Sequence, residues 1–255
     1  MRKLSGLLFV FTLFILTPFV LLGCGGEKLG PVSSLSDNVN EIVENRDVLD
    51  TGIPADTLNA IARRQHIAMV KNASGMAMAG WQLYVPVPFY SQNDPSWRTH
   101  PLGFNACGNS TIGAFGCYLC CVAMHYAKWG YSNMNPKVLN DWAVGSRQHY
   151  AFASSSPPGN CGDLIRLPQA IEYPGVCRPY RIFTNPNEIY PNLAAGRPVI
   201  VKVQYQNGQQ VVTHFMIIFA FDGQRYWVKD PWRDWTQQDQ PLYGNFVQGI
   251  VLGVG

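Results

Sequence analysis

The chain has 255 residues, which is enough for one domain of moderate size and an N-terminal extension. Hydrophobic residues make up 47% of it and charged residues 14%, a balance that supports a sizeable core and excludes wholesale disorder. The net charge is only +3 and no basic run occurs, so the sequence carries no signature of nucleic-acid binding. Plentiful aromatic residues, Gly and Pro favour a mixed α+β domain with many turns over a helical bundle.

The first residues indicate export. A basic head at residues 2–3 precedes an apolar run over residues 7–22. The run ends at Leu-Leu-Gly-Cys, which resembles the bacterial lipobox, in which the cysteine becomes the lipidated first residue of the mature protein. We therefore predict that residues 1–23 are a lipoprotein signal peptide and that Cys24 is anchored on the periplasmic or cell-surface side of a bacterial membrane. An uncleaved membrane anchor is the alternative, because the run is nearly long enough to span a bilayer.

Residues 24–80 are predicted to be a tether followed by an N-terminal extension. Residues 25–36 are polar and contain Gly, Ser and Pro, which is typical of a tether. Pro54 precedes a predicted helix over residues 55–64 with apolar residues at helical spacing, and residues 66–70 are predicted to form a strand. The extension is either a prosegment or a segment that packs against the domain, and we favour packing.

Helices are predicted in the first part of the domain that follows. A polar loop over residues 91–116 leads into residues 117–128, which contain neither Gly nor Pro and are apolar on most sides. That pattern predicts a buried central helix that ends at Gly130. A second helix is predicted to begin at Pro136, and a short helix to cover residues 163–171.

The C-terminal part has the β-branched composition of strands. Strands are predicted at residues 198–203, 213–221, 226–229 and 249–253. A short turn links the second strand to the third, so these two are predicted to form a hairpin. Helices therefore precede antiparallel strands, and we expect a helix-rich half packed against a sheet half with a cleft between them.

Cys117 is the candidate nucleophile. A thiol attacks well only as the thiolate, and the N-terminus of a helix stabilises that anion. Cys117 follows directly on a Gly-containing loop and opens the predicted central helix, whereas Cys120 and Cys121 lie a turn inside it. Simple packing of a buried cysteine is the alternative interpretation, and it suits Cys120 and Cys121 better.

A cysteine nucleophile needs a base. The chain offers five histidines, which are His66, His100, His125, His149 and His214. His125 lies two turns along the central helix, roughly 12 Å from Cys117 at about 1.5 Å per residue, and cannot reach it. His66 lies in the extension. His100 and His149 lie in predicted loops and remain candidates for the base.

His214 is the preferred base. It heads a strongly apolar β-run, Thr-His-Phe-Met-Ile-Ile-Phe, where a titratable residue is unusual. Asp230 ends the next strand, and the predicted hairpin lets its carboxylate hold the imidazole and stabilise the charged form. The alternatives are a hydrogen-bonded histidine at a strand end and an Asp-Pro turn, and the turn is compatible with the orienting role.

Four sequence blocks occur in one order along the chain. They are Gln92-Asn93-Asp94-Pro95-Ser96-Trp97, Ser110-Thr111-Ile112-Gly113-Ala114-Phe115-Gly116-Cys117, Thr213-His214-Phe215 and Val228-Lys229-Asp230-Pro231-Trp232. Together they resemble the C39-like group of papain-fold cysteine peptidases. The resemblance covers residues 85–254 and implies that residues 81–255 form a papain-like α+β domain, in which a helical half with a central nucleophile helix packs on an antiparallel sheet.

The resemblance also implies a role for each site residue. Cys117 would be the nucleophile, His214 the base and Asp230 the residue that orients the base. Gln92 would donate to the oxyanion together with the backbone N–H of Cys117. The implied activity is hydrolysis of peptide or amide bonds in a peptide or protein substrate, without a cofactor or metal. Acyl or peptidyl transfer and a non-catalytic binding module on the same fold are the alternatives.

Two departures from the family pattern concern the surroundings of the thiol. Tyr118-Leu119-Cys120 follows the nucleophile where the family usually has Gly-Pro-Thr, so we expect a bulkier pocket. Residues 101–109 form an extra insertion. Five cysteines remain besides Cys24 and Cys117, and Cys161 with Cys177 is the preferred disulfide pair. The Cys-x-x-Cys of residues 117 and 120 has no second ligand pair, so no zinc site is expected. A monomer is expected.

Overall fold

Helices dominate the first half of the described chain and strands the second. The computed structural model describes residues 52–70, 81–103, 110–145, 150–151, 164–165, 179–234, 236 and 239–253. The helices are α1 (Ala55–Val70), α2 (Ile112–Phe115), α3 (Cys117–Lys128), α4 (Pro136–Gly145) and α5 (Ile189–Ala194), with a 3-10 turn at Pro186–Glu188. The strands are β1 (Ile53–Pro54), β2 (Leu83–Tyr84), β3 (Tyr150–Ala151), β4 (Leu164–Ile165), β5 (Tyr180–Phe183), β6 (Val199–Asn207), β7 (Gln210–Phe221), β8 (Tyr226–Lys229), β9 (Gln240–Pro241) and β10 (Asn245–Leu252).

The main sheet is antiparallel throughout the described strands. Its order is β1–β10–β6–β7–β8–β9, with β2 added beside the end of β7 and β5 added beside the end of β10. β6 and β7 form its centre as a long hairpin that pairs Val199 with Ile218 at one end and Asn207 with Gln210 at the other. β3 and β4 form a separate short ladder. The predicted α+β class, with helices before antiparallel strands, is confirmed.

The central helix α3 packs against β7 and has the predicted bounds. All nine residues from 118 to 126 are buried, so protein surrounds this helix on every side. That burial is what an apolar segment without a polar face requires. The helix ends before Gly130, whose φ of +95° lies in the left-handed region that favours glycine.

The segment formed by β1 and α1 packs onto the sheet. Ile53 pairs with Phe246 of β10, and Leu58 and Ala62 of α1 are buried in the same core as the sheet. Oδ1 of Asn59 accepts a hydrogen bond from the backbone N–H of Tyr226 at 2.9 Å. This part of the extension therefore contributes to the core and ties α1 to β8.

The predicted strand at residues 66–70 is wrong, because α1 continues to Val70. No Gly or Pro lies between residue 64 and Val70 to end the helix. Leu58, Ala62 and His66 recur every four residues and share one face, and His66 Nδ1 lies 2.8 Å from the hydroxyl of Tyr190 on α5. Packing of this face carries the helix past its predicted end.

Two further differences lie between the helices and the sheet. The short helix predicted at residues 163–171 is wrong at Leu164–Ile165, which form β4, and its other residues lie outside the described residues. The strand β5 was not predicted, because four residues with mixed burial give little periodicity. It pairs with residues 249–252 of β10.

The buried face of α1 gives a stability prediction. Replacing Leu58, which is 1% exposed, by alanine should lower the free energy of unfolding by about 2–5 kcal/mol, because it leaves a cavity between α1 and the sheet. Chemical denaturation would measure the loss. Ile67 on the same helix is 56% exposed, and Ile67→Ala is the matched control, expected to change stability little. Equal losses in the two variants would contradict the packing described for α1.

Candidate active site

Cys117 is the first residue of the central helix. The one-turn helix α2 ends at Phe115, Gly116 forms the corner, and α3 starts at the next residue. The N–H of Gly116 donates to the carbonyl oxygen of Ile112 at 2.8 Å, and a Cβ at position 116 would clash with that oxygen. The corner therefore requires glycine. It leaves Cys117 partly exposed at the N-terminus of α3, where unpaired backbone N–H groups favour negative charge.

His214 and Asp230 form a buried hydrogen-bonded pair. Nε2 of His214 donates to Oδ1 of Asp230 at 2.6 Å, and the two side chains are 5% and 0% exposed. His214 lies in β7 and Asp230 directly follows β8, and these strands pair as the predicted hairpin. The hairpin thus brings together two residues that are distant along the chain.

The Cys117 side chain lies within hydrogen-bonding and electrostatic reach of His214. Because Asp230 occupies Nε2, Nδ1 is the ring nitrogen left for the sulfur. Burial alone would lower the pKa of His214, but hydrogen bonds and negative charges from Asp230 and Cys117 outweigh burial and raise it from 6.5 to about 10. His214 is therefore a charged imidazolium at neutral pH. Its contribution to stability is full below pH 6.5 and is lost as the pH rises through about 10.

The Asp230 carboxylate accepts three hydrogen bonds besides the one from His214. The backbone N–H of Trp232 donates to Oδ1 at 2.9 Å, and Nε2 of Gln240 and the hydroxyl of Tyr243 donate to Oδ2 at 2.6 and 2.9 Å. Burial works to raise the pKa of Asp230, but these bonds and the His214 charge lower it overall. Sequence reasoning missed Gln240 and Tyr243, because polar residues after a short strand carry no signal of their own.

Gln92 is held between the two loops that flank the site. Its backbone N–H donates to the carbonyl oxygen of Pro231 at 2.7 Å, and its side-chain Nε2 donates to the carbonyl oxygen of Gly113 at 2.7 Å. Ser91 reinforces the link, because its hydroxyl donates to the carbonyl oxygen of Arg233 at 2.6 Å. The amide group of Gln92 has a second N–H that the Gly113 bond does not use. The structure thus ties Gln92 both to the loop after Asp230 and to the segment before Cys117.

All four of these residues fall within a segment that matches a known family. The Peptidase_C39 like family matches residues 84–248 of the chain. The chain belongs to this family. A crystal structure of a candidate C39-like peptidase from Bacillus anthracis matches 68% of this chain and 98% of its own, with 13% sequence identity and a TM-score of 0.41. No curated protein matches the chain. The predicted family membership is confirmed.

Three other histidines of this C39-like protein have different surroundings. Nε2 of His100 lies 2.7 Å from Asp141 at the surface, and His66 contacts Tyr190. His125 is fully buried in α3, and burial lowers its pKa from 6.5 to about 3, so it stays neutral. His149 lies outside the described residues. Among the described histidines, His214 is the one that combines a buried carboxylate partner with an interaction with Cys117.

The remaining predicted sites fall outside the described ranges. Cys24, Cys107, Cys161 and Cys177 all lie there, so lipidation and the pairing of Cys161 with Cys177 stay predictions. Within the described ranges, no group of His, Cys, Asp and Glu is arranged to hold a metal ion. The helices described for this chain are all too short or too polar to cross a membrane.

Removing the carboxylate charge should lower the pKa of His214. In Asp230→Asn the imidazolium loses its buried negative partner, so its pKa should fall from about 10 towards or below the ordinary value of 6.5. Titration of labelled histidine rings by NMR would measure the shift. Asp141→Asn removes the partner of His100 and is the matched control, because it should leave the His214 pKa unchanged. An unchanged His214 pKa in Asp230→Asn would contradict the coupling.

Proposed function

We propose that this protein is a cysteine peptidase that hydrolyses peptide or amide bonds in a peptide or protein substrate. The observation that carries the proposal is the position of the Cys117 thiol at the N-terminus of α3, within reach of His214, which hydrogen-bonds to Asp230. A nucleophile, a base and an orienting carboxylate in this order are what acyl transfer requires. Membership of a family named for peptidases supports the same class of reaction.

The charged state of His214 suits it to this reaction. Because its pKa is raised to about 10, the imidazolium stays charged at neutral pH and can stabilise negative charge on the attacking sulfur of Cys117. The thiolate attacks the carbonyl carbon and forms the carbon–sulfur bond while the carbonyl oxygen becomes negative. His214 then gives its proton to the departing amine, which leaves a thioester on Cys117.

Two N–H donors are proposed to stabilise the negative oxygen. One is the backbone N–H of Cys117, which belongs to the first helical turn and has no acceptor within the helix. The other is the second N–H of Gln92 Nε2, whose position is fixed by the bond to Gly113. Donors held in place before the reaction stabilise the oxyanion more than water does.

Hydrolysis of the thioester restores the enzyme. A water molecule attacks the thioester carbonyl while neutral His214 accepts its proton, and the carboxylic acid product leaves as the thiolate–imidazolium pair forms again. Asp230 keeps the imidazole ring in place through both steps, because its own orientation is fixed by Trp232, Gln240 and Tyr243.

Replacing Cys117 and Cys121 by alanine, one at a time, tests the assignment of Cys117 as the nucleophile. Cys117→Ala should abolish hydrolysis of a peptide library and labelling of the protein by iodoacetamide at this site, both read by mass spectrometry. Cys121→Ala is the matched control, because Cys121 is buried in the next turn and should leave both unchanged. Folding of both variants would be checked by thermal unfolding.

Three outcomes would overturn the peptidase proposal. Equal labelling of the α3 peptide, which contains Cys117, Cys120 and Cys121, in the two variants would mean that Cys117 is not the reactive thiol. Products that carry an added amine in preference to water would assign the acyl-enzyme to a transferase. No turnover of any peptide by a folded wild-type protein with an unreactive Cys117 would favour the non-catalytic binding module.

We also propose that Cys24 carries a lipid that anchors the enzyme to a bacterial membrane, outside the cytoplasm. The basic head, the apolar run and Leu-Leu-Gly-Cys support this proposal. Expressed in a bacterium with a fatty-acid probe, the wild type should be labelled and found in the membrane fraction, and Cys24→Ser should lose the label. A Cys24→Ser protein of unchanged mass that stays in the membrane alongside an unlabelled wild type would indicate an uncleaved anchor.

A further inference from the structure

A second cysteine lies one turn after the proposed nucleophile and has no part in the reaction described above. Cys120 is three residues along α3 from Cys117, so the two form a Cys-x-x-Cys at the start of a helix. Cys117 is partly exposed, whereas Cys120 is 0% exposed. Both are free thiols. This arrangement pairs an accessible sulfur with an inaccessible one.

Helix geometry places these two residues close enough for a disulfide. Residues three apart on a helix have Cβ atoms about 5–6 Å apart, and a disulfide needs about 3.5–4.5 Å. Negative charge on the Cys117 sulfur raises the pKa of Cys120, which places the two side chains within electrostatic reach of each other. A closure of about 1–2 Å therefore separates the dithiol from a disulfide.

The start of α3 is the part of the helix that can supply this movement. The backbone N–H groups of the first turn make no bonds within the helix, so residue 117 is less constrained than residues further along. The first bond that fixes the turn runs from the N–H of Cys120 to the carbonyl oxygen of Gly116 at 2.9 Å. A rotation of the Cys117 side chain, with a small shift of this less constrained residue, can therefore bring its sulfur towards Cys120.

Burial separates the chemical roles of the two sulfurs. An oxidant in solution reaches Cys117 and does not reach Cys120. Burial also raises the pKa of Cys120 well above its usual range, so it stays a protonated thiol and does not compete as a nucleophile at neutral pH. It reacts only with a neighbour that has already become an electrophile, and oxidised Cys117 is such a neighbour.

We propose that Cys120 is a resolving cysteine that stores oxidised Cys117 as a reversible Cys117–Cys120 disulfide. A peroxide first oxidises the Cys117 thiolate to a sulfenic acid, and the peroxide leaves reduced to water or an alcohol. The sulfur of Cys120 then attacks the sulfur of Cys117, the sulfur–oxygen bond breaks, and the hydroxyl group leaves with the Cys120 proton as water. Two equivalents of a small thiol reduce the disulfide and restore both thiols.

The disulfide has a consequence for the proposed peptidase activity, and that part rests on the proposed function. Cys117 in a disulfide cannot attack a carbonyl, so the oxidised enzyme is inactive. It is also protected, because the sulfenic acid no longer proceeds to the sulfinic and sulfonic acids that thiols do not reverse. With Cys120 present, oxidation of Cys117 therefore inactivates the enzyme reversibly, and a reductant restores the activity.

The experiment treats four forms of the full chain with hydrogen peroxide and maps the cysteines by peptide mass spectrometry. The wild type and Cys121→Ala should lose two hydrogen atoms from the peptide that contains Cys117 and Cys120. In Cys120→Ala, Cys117 should instead gain two or three oxygen atoms. In Cys117→Ser, buried Cys120 should stay reduced. Cys121→Ala is the matched control for the change of a buried cysteine in the same helix.

Recovery of activity gives the second measurement. After peroxide and then dithiothreitol, the wild type and Cys121→Ala should regain full peptidase activity, and Cys120→Ala should regain less than about a tenth. A sulfinic acid on wild-type Cys117, or a disulfide from Cys117 to Cys121, would overturn the inference. Because the masses need no turnover, a disulfide in a protein that cleaves no peptide would leave this inference standing and count against the peptidase proposal alone.

Discussion

The buried pair of His214 and Asp230 is the interaction on which the site depends. Burying a charge costs on the order of several kcal/mol per ion unless partners compensate it. Here the two charges face each other at 2.6 Å, and the carboxylate accepts three more hydrogen bonds. These donors explain why Asp230 stays ionised although it is buried. The ionised Asp230 in turn helps to keep His214 charged, because its hydrogen bond and negative charge raise the pKa of that histidine.

The same constraint organises the loops around the thiol. Residues 231–233 lie close to the Asp230 carboxylate, because the N–H of Trp232 donates a hydrogen bond to it. The backbone carbonyl groups of these three residues accept hydrogen bonds from Ser91, Gln92 and Asn93. The proposed oxyanion donor is therefore positioned by the loop that also fixes the orienting carboxylate. A displacement of either loop would disturb both parts of the site.

The sequence predicts those helices and strands whose first and last residues are determined by the residues next to them. The bounds of α3 follow from an apolar run without Gly or Pro between Gly116 and Gly130, and the bounds of β8 follow from a short run before an Asp-Pro turn. The prediction of a strand at residues 66–70 is wrong, because tertiary contacts decide whether this segment is helical. His66 belongs to α1 since Tyr190, far along the chain, packs against that face. Local propensity contains no such information.

The residues of the candidate site also differ in how well the sequence predicts them. Cys117 opens α3, Asp230 directly follows β8, and His214 is the first residue of the buried part of β7. In each place a reactive residue interrupts an apolar pattern and can be noticed. Gln92 came from family resemblance, because one amide in a polar loop carries no periodic signal. Gln240 and Tyr243 were missed altogether. Their contacts with Asp230 depend on how β9 pairs with β8, which a two-residue strand does not reveal.

The pairing of β1 with β10 joins the first described strand to the last one. A contact between residues so far apart along the chain raises the contact order, which slows folding. It also covers the edge of β10 at Asn245 and Phe246, where unpaired backbone groups would otherwise invite strands from other molecules. A fragment that began at residue 81 would expose that edge and the aromatic surface beneath α1, and it would be prone to aggregate.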